Sequence, residues 1–233
     1  MLGLADERRQ SFSMTTWGNV HTVAVVLATG FSVAFSAPAL LAWVAAASFL
    51  ILVLKTRRSW TPDGNLGVAN LVTTLRLSMT LALLVGHGRF ADTIVALTAL
   101  SILVLDGVDG YLARRYDAAS EFGARYDVEA DSLFVIALSV ILLARGVTGP
   151  WVLVAGLWRY FYILAGLIVP RPAEAPRTLF GRVSYVFMLL SFILALLLPA
   201  PWSGSLTFVG TCGVSISFIR SFWLCYFPKR DAA

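Results

Sequence analysis

Charge is what this sequence has least of. Lys, Arg, Asp and Glu make up 13% of its 233 residues, against 58% hydrophobic residues, and the mean hydropathy is +0.80. A water-soluble globule of this size would have too little polar material for its surface, so that class is excluded. Cysteine is also scarce. Cys212 and Cys225 lie thirteen positions apart in one predicted helix, about 20 Å along its axis, which excludes a disulfide between them while the helix is intact. The two histidines, His21 and His87, are isolated in sequence and read as interfacial rather than catalytic. The net charge of +5 might suggest nucleic acid, but the basic residues are dispersed among loops and read as topology determinants beside anionic lipid. A secretory signal is not expected either, because the first apolar run continues too long and no cleavage site follows.

What is present is a series of long apolar stretches, and the expected fold is all-α, a polytopic membrane helical bundle. Residues 1–19 form a charged, partly helical lead-in. The stretch 10–54 holds no charge, and Ser36-Ala37-Pro38 divides it into a hairpin of spans near 20–36 and 38–54. Six further spans are expected near 66–85, 91–112, 124–144, 150–169, 179–198 and 205–227. They are separated by Gly86-His87-Gly88, by residues 146–150, by the proline-rich run 170–176 and by Pro199-Ala200-Pro201. With the N-terminus in the cytoplasm, thirteen of the eighteen basic residues fall on or beside the cytoplasmic face. Arg89 and Arg145 fall on the opposite face, and Arg76, Arg159 and Arg220 lie within the membrane, so the positive-inside rule supports this orientation.

Within this apolar background residues 106–131 are a charged island that carries seven of the thirteen acidic residues. Carboxylates beside membrane helices are costly and usually functional. Residues three or four apart share a helix face. Asp106, Asp109, Gly110 and Ala113 therefore form one stripe, Gly123, Asp127 and Asp131 form a second, and Glu129 points away from the latter. A short polar connection, 115–122, would hold the two helices antiparallel and gather four carboxylates at one membrane face. Four such groups in a partly dry cleft need compensating positive charge. Hard oxygen donors without His or Cys suit Mg²⁺ or Mn²⁺. Two ions would balance four charges, an arrangement matched to in-line displacement on a diphosphate. Gly110, Ala113 and Gly123 would leave room for a base or diphosphate near the backbone, and Arg114 can pair with phosphate through its planar fork.

The island reads Asp-x2-Asp-Gly-x2-Ala-Arg-x8-Gly-x3-Asp-x3-Asp and resembles the signature of the CDP-alcohol phosphotransferases, with every defining position filled. The resemblance implies a dinuclear metal site on Asp106, Asp109, Asp127 and Asp131, with Asp131 also the general base. It implies that Gly110, Ala113, Arg114 and Gly123 receive the CDP moiety. Asn70-x2-Thr73-x2-Arg76 resembles the opening of the family's first core helix, which adds Asn70 and Thr73 to the nucleotide or metal shell. The division implied is a lead-in, hairpin and linker over 1–65 and a six-span catalytic domain over 66–233.

The intramembrane arginines complete the reading. Arg76, Arg159 and Arg220 should lie roughly 10–15 Å below the cytoplasmic surface, close to the depth of Asp106 and Asp131, where they could converge on the carboxylates. Arg159, Arg182 and Arg220 are candidates for holding an acceptor that carries phosphate. The expected reaction is transfer of a phosphatidyl group from CDP-diacylglycerol to a polar alcohol with release of CMP, on the cytoplasmic side of a bacterial inner membrane. Membrane lipid and a second copy of the chain, as a homodimer, are the other expected partners. Transfer from a soluble CDP-alcohol to diacylglycerol and a divalent-cation transporter are the alternatives.

Overall fold

The computed structural model describes residues 2–57, 60, 65–115, 120–169 and 178–226, with side chains described from Met14 onward and not over 109–115. Among the described residues the only regular secondary structure is helix. The helices are α1 (Leu2–Ala34), α2 (Pro38–Lys55), α3 (Val68–Val85), α4 (Asp92–Arg115), α5 (Glu121–Ala144), α6 (Val152–Ile168), α7 (Leu179–Ala195) and α8 (Trp202–Tyr226). The expected bundle is therefore present, with one difference at its start. α1 extends far ahead of residue 20, because nothing between Leu2 and Ala34 breaks the helix and the charged lead-in continues it.

The local signals act at the helix ends. At the α1–α2 corner Ser36 takes φ 51°, Ala37 N donates to Ser32 O at 2.8 Å, and Leu41 N donates to Ser32 Oγ at 3.1 Å. Pro38 opens α2, where its missing N–H costs nothing. Ser120 caps α5 by accepting from Gly123 N at 2.9 Å, and Thr178 caps α7 by accepting from Gly181 N at 3.1 Å. Each cap satisfies a backbone donor that the helix leaves open.

α5 is the central post. Residues 132–142 are buried on every side, as expected of a helix surrounded by others. α1, α2, α3, α6 and α7 all pack on it. The N-terminal hairpin is thus built into the bundle: α1 lies against α5 and α6, and α2 against α3 and α5. His21, expected at an interface, is instead fully buried. It stacks on Trp17 and hydrogen-bonds Ser48 Oγ at 2.8 Å, joining α1 to α2. At the far end of α5, Arg145 donates to Phe90 O at 2.8 Å and pairs with Asp92, which ties the end of α5 to the α3–α4 turn.

Met14–Ala34, α2, α3 and α8 are long and apolar enough to cross a membrane by length and composition. α6 and α7 are apolar but shorter, at 17 residues each. α4 and α5 carry the acidic island.

Candidate active site

The two acidic stripes lie on α4 and α5, and both helices border α3 or its neighbours in the bundle. Asp106 comes from α4, and Asp127 and Asp131 come from successive turns of α5. One carboxylate oxygen from each lies within 4.8 Å of the other two. All three are half-buried, and Arg76 on α3, almost fully buried, sits against them. Its Nη1 donates to Asp127 Oδ1 at 2.8 Å. Its Nη2 donates to Asp106 Oδ1 at 2.7 Å and also to Asp131. One planar guanidinium therefore spans carboxylates from two helices, which a compact ammonium could not do as well.

The donor set fits a divalent metal. Among the described side chains three carboxylates face one guanidinium, an excess of negative charge, and clustered hard oxygens are the ligands Mg²⁺ and Mn²⁺ prefer. Asp109 lies on α4 three residues after Asp106, but its side chain is outside the described residues. The same holds for Gly110, Ala113 and Arg114.

Other expected contacts are engaged with the protein itself. Asn70 is buried, and its Nδ2 donates to Trp60 O at 3.1 Å and to Leu66 O at 2.8 Å. Gly123 is where it must be for packing: a Cβ there would lie 2.8 Å from Asn70 Oδ1 and 3.1 Å from Ser120 Oγ. Ser120 Oγ also donates to Trp60 O, at 2.7 Å, so the linker carbonyl of Trp60 joins α3 to the start of α5. Thr73 is buried and donates to Ala69 O at 3.2 Å. In this structure Asn70 and Gly123 hold helices together, the packing role open to such residues from the sequence beside the nucleotide one.

Beside Asp131 lies a cavity of about 200 Å³ whose lining includes Asp131, Ser132, Gly156, Arg159, Tyr185 and Phe218. The arginines separate here. Arg76 reaches the aspartates, and Arg159 lines the cavity while pairing with Glu129 at 2.5 Å. Arg182, in the first turn of α7, and Arg220, on α8, are exposed. Glu129 does point away from the Asp127–Asp131 stripe, toward α6. Tyr185 and Gly156 were not singled out from the sequence. A glycine three positions before Arg159 and a tyrosine three after Arg182 are one-turn neighbours of flagged residues, which is the available signal for them.

An all-helical bundle that sets clustered carboxylates and a buried arginine beside a cavity defines an integral membrane protein with a polar, metal-suited centre. Residues 66–219 match the family model described as CDP-alcohol phosphatidyltransferase, and the chain belongs to that family. It is 32% identical over 93 residues to a CDP-diacylglycerol--glycerol-3-phosphate 3-phosphatidyltransferase of Cereibacter sphaeroides, covering 38% of this chain and 42% of the relative. It is 31% identical over 156 residues to a probable phosphatidylglycerophosphate synthase of Mycobacterium tuberculosis, covering 64% of each. The chain thus spans between about two fifths and two thirds of the curated relatives it matches. No solved structure matches it at a significant level.

Proposed function

We propose that this protein transfers a phosphatidyl group from CDP-diacylglycerol to a phosphorylated polyol of the glycerol 3-phosphate class, releasing CMP. The reaction is placed at the cytoplasmic face of a bacterial inner membrane. The observation that carries this reading is the convergence of Asp106, Asp127 and Asp131 within 4.8 Å beside a cavity that Arg159 also lines. The names of the relatives from Cereibacter sphaeroides and Mycobacterium tuberculosis support the acceptor class, and a basic group at the cavity is what a phosphorylated alcohol requires.

Asp106, Asp109, Asp127 and Asp131 are the residues that would hold Mg²⁺ or Mn²⁺. When bound, such ions supply positive charge against the diphosphate and the departing CMP phosphate. Asp131, at the boundary between the carboxylate cluster and the cavity, takes the proton of the acceptor hydroxyl. The hydroxyl oxygen bonds to the phosphorus that carries diacylglycerol, and the bond from that phosphorus to the bridging oxygen breaks. CMP leaves with the electron pair. Arg159 orients the acceptor through its phosphate. Gly110, Ala113 and Arg114 receive the CDP moiety, with Arg114 pairing to phosphate, and Asn70, Thr73 and Gly123 shape the floor of that region. Arg182, in the first turn of α7, and Arg220, six residues before the end of α8, are both exposed and attract the anionic acceptor toward the cavity.

The test incubates reconstituted protein and Mg²⁺ or Mn²⁺ with CDP-diacylglycerol and a panel of alcohols, following CMP and the new lipid. Turnover with glycerol 3-phosphate supports the reading. Turnover only with a soluble CDP-alcohol and diacylglycerol reverses the donor. No turnover with either, alongside cation uptake into the vesicles, points to a transporter.

A further inference from the structure

Glu129 and Arg159 form a second charged pair that the carboxylate cluster does not use. Glu129, on α5, is 1% exposed, while the Arg159 side chain on α6 is 29% exposed. The carboxylate is thus sealed in the bundle, and the guanidinium keeps one edge toward the cavity it shares with Asp131. Arg159 Nη2 donates to Glu129 Oε1 at 2.5 Å, whereas Glu129 Oε2 has no hydrogen-bond partner among the described residues. Burying a carboxylate this incompletely satisfied is costly, and apolar replacements of buried ion pairs are often no less stable. Stability alone is therefore a poor account of the pair.

Geometry gives a better one. Arginine is long and rich in rotamers, so an untethered guanidinium must be immobilised each time it grips a phosphate. Glu129 holds one end of Arg159 in advance. It also sits two residues before Asp131 on the same helix, so a single stretch of α5 backbone fixes both the tether and the carboxylate that meets the acceptor hydroxyl. Gly156 lets α6 close on α5, since a Cβ there would lie 2.6 Å from Ile136 Cα, and this keeps the offset between the two helices small and constant.

The geometry points to Glu129 as a positioning residue that sets the distance between Asp131 and the guanidinium of Arg159. It thereby selects acceptors whose hydroxyl and phosphate are separated by a matching span. This inference rests on the function proposed above.

The experiment is steady-state kinetics on reconstituted wild type, Glu129→Gln and Glu129→Asp, with glycerol 3-phosphate and unphosphorylated glycerol as acceptors. Glu129→Gln keeps the shape and loses the charge. It is expected to raise KM for glycerol 3-phosphate by roughly three- to tenfold, with kcat and the KM for CDP-diacylglycerol little changed and the preference over glycerol reduced. Glu129→Asp, which keeps the charge, recovers part of the loss. Where Glu129→Gln does not fold, Glu129→Asp alone carries the test: its shorter side chain shifts the tether of Arg159, and a smaller rise in the KM for glycerol 3-phosphate with kcat unchanged is expected. An unchanged acceptor KM, or a fall in kcat with no KM change and a lowered melting temperature, overturns the inference. Wild type that releases CMP separates this failure from that of the parent reading, which an inactive wild type would overturn together with the inference.

Discussion

Arg76 on α3 donates to Asp127 on α5 at 2.8 Å, a contact across 51 residues of sequence that also draws in Asp106 of α4. This guanidinium is the protein's own counter-ion for the acidic cluster. Without it three carboxylates face one another at close range, and removing one partner of a buried charged group costs about 3–5 kcal/mol. Because the aspartates are 25–37% exposed, the low end, about 3 kcal/mol, is the relevant figure. Arg76→Met is accordingly expected to lower the melting temperature in chelator. Mg²⁺ or Mn²⁺ should restore more stability to the variant than to the wild type. Equal metal stabilisation of both proteins would argue against a shared site for arginine and metal.

Asp131 differs from its neighbours in bordering the cavity as well as the cluster. A general base contributes typically about 10²–10⁴-fold, so Asp131→Asn should reduce kcat by that order with metal still bound. Near-normal turnover in a CMP-release assay, with metal uptake verified on the same sample, would remove Asp131 from that role.

The contact between α5 and α6 depends on a missing side chain. Gly156→Ala would place a methyl 2.6 Å from the backbone of Ile136, and backbone cannot step aside as a flexible side chain can. Overpacking of this kind costs about 1–3 kcal/mol. The expected result is a lower melting temperature together with a raised acceptor KM, because Arg159 and Asp131 are moved apart. Gly30, inside α1 with nothing within 4 Å of an added Cβ, is the control, and Gly30→Ala should leave the acceptor KM unchanged and the melting temperature no lower.

The orientation is tested by two exposed positions, Arg57 and Arg89. In a background where Cys212 and Cys225 are replaced by Ser, a membrane-impermeant maleimide should label Arg89→Cys in intact spheroplasts and Arg57→Cys only after permeabilisation. The reverse pattern would invert the bundle and place the aspartates outside.

The parts of this protein legible in its sequence are those governed by spacing along one helix. Asp127 and Asp131 lie on one face because they are four residues apart, and Glu129 lies off that face for the same reason. The breakers Pro38, Gly86 and Pro199 marked helix ends because each acts on its own backbone. What the sequence did not disclose depends on which helix comes to rest beside which. That Arg76 interrupts an apolar helix was legible, but its bridging of three aspartates required α3, α4 and α5 to meet. Nothing local to Arg159 shows that Glu129, thirty positions earlier, will take one end of it. His21 reads as a lone polar residue until Trp17, Ser48 and Phe49 close around it. Asn70 and Gly123 match positions expected to meet a nucleotide, yet they fit each other because α3 and α5 approach so closely there.

The most direct test is a Mn²⁺ titration of the purified protein followed by electron paramagnetic resonance. Wild type is expected to take up Mn²⁺ with a stoichiometry approaching two, and Asp106→Asn and Asp127→Asn should each weaken uptake sharply while the protein remains folded. Uptake that is absent in the wild type, or indifferent to both substitutions, would contradict the account.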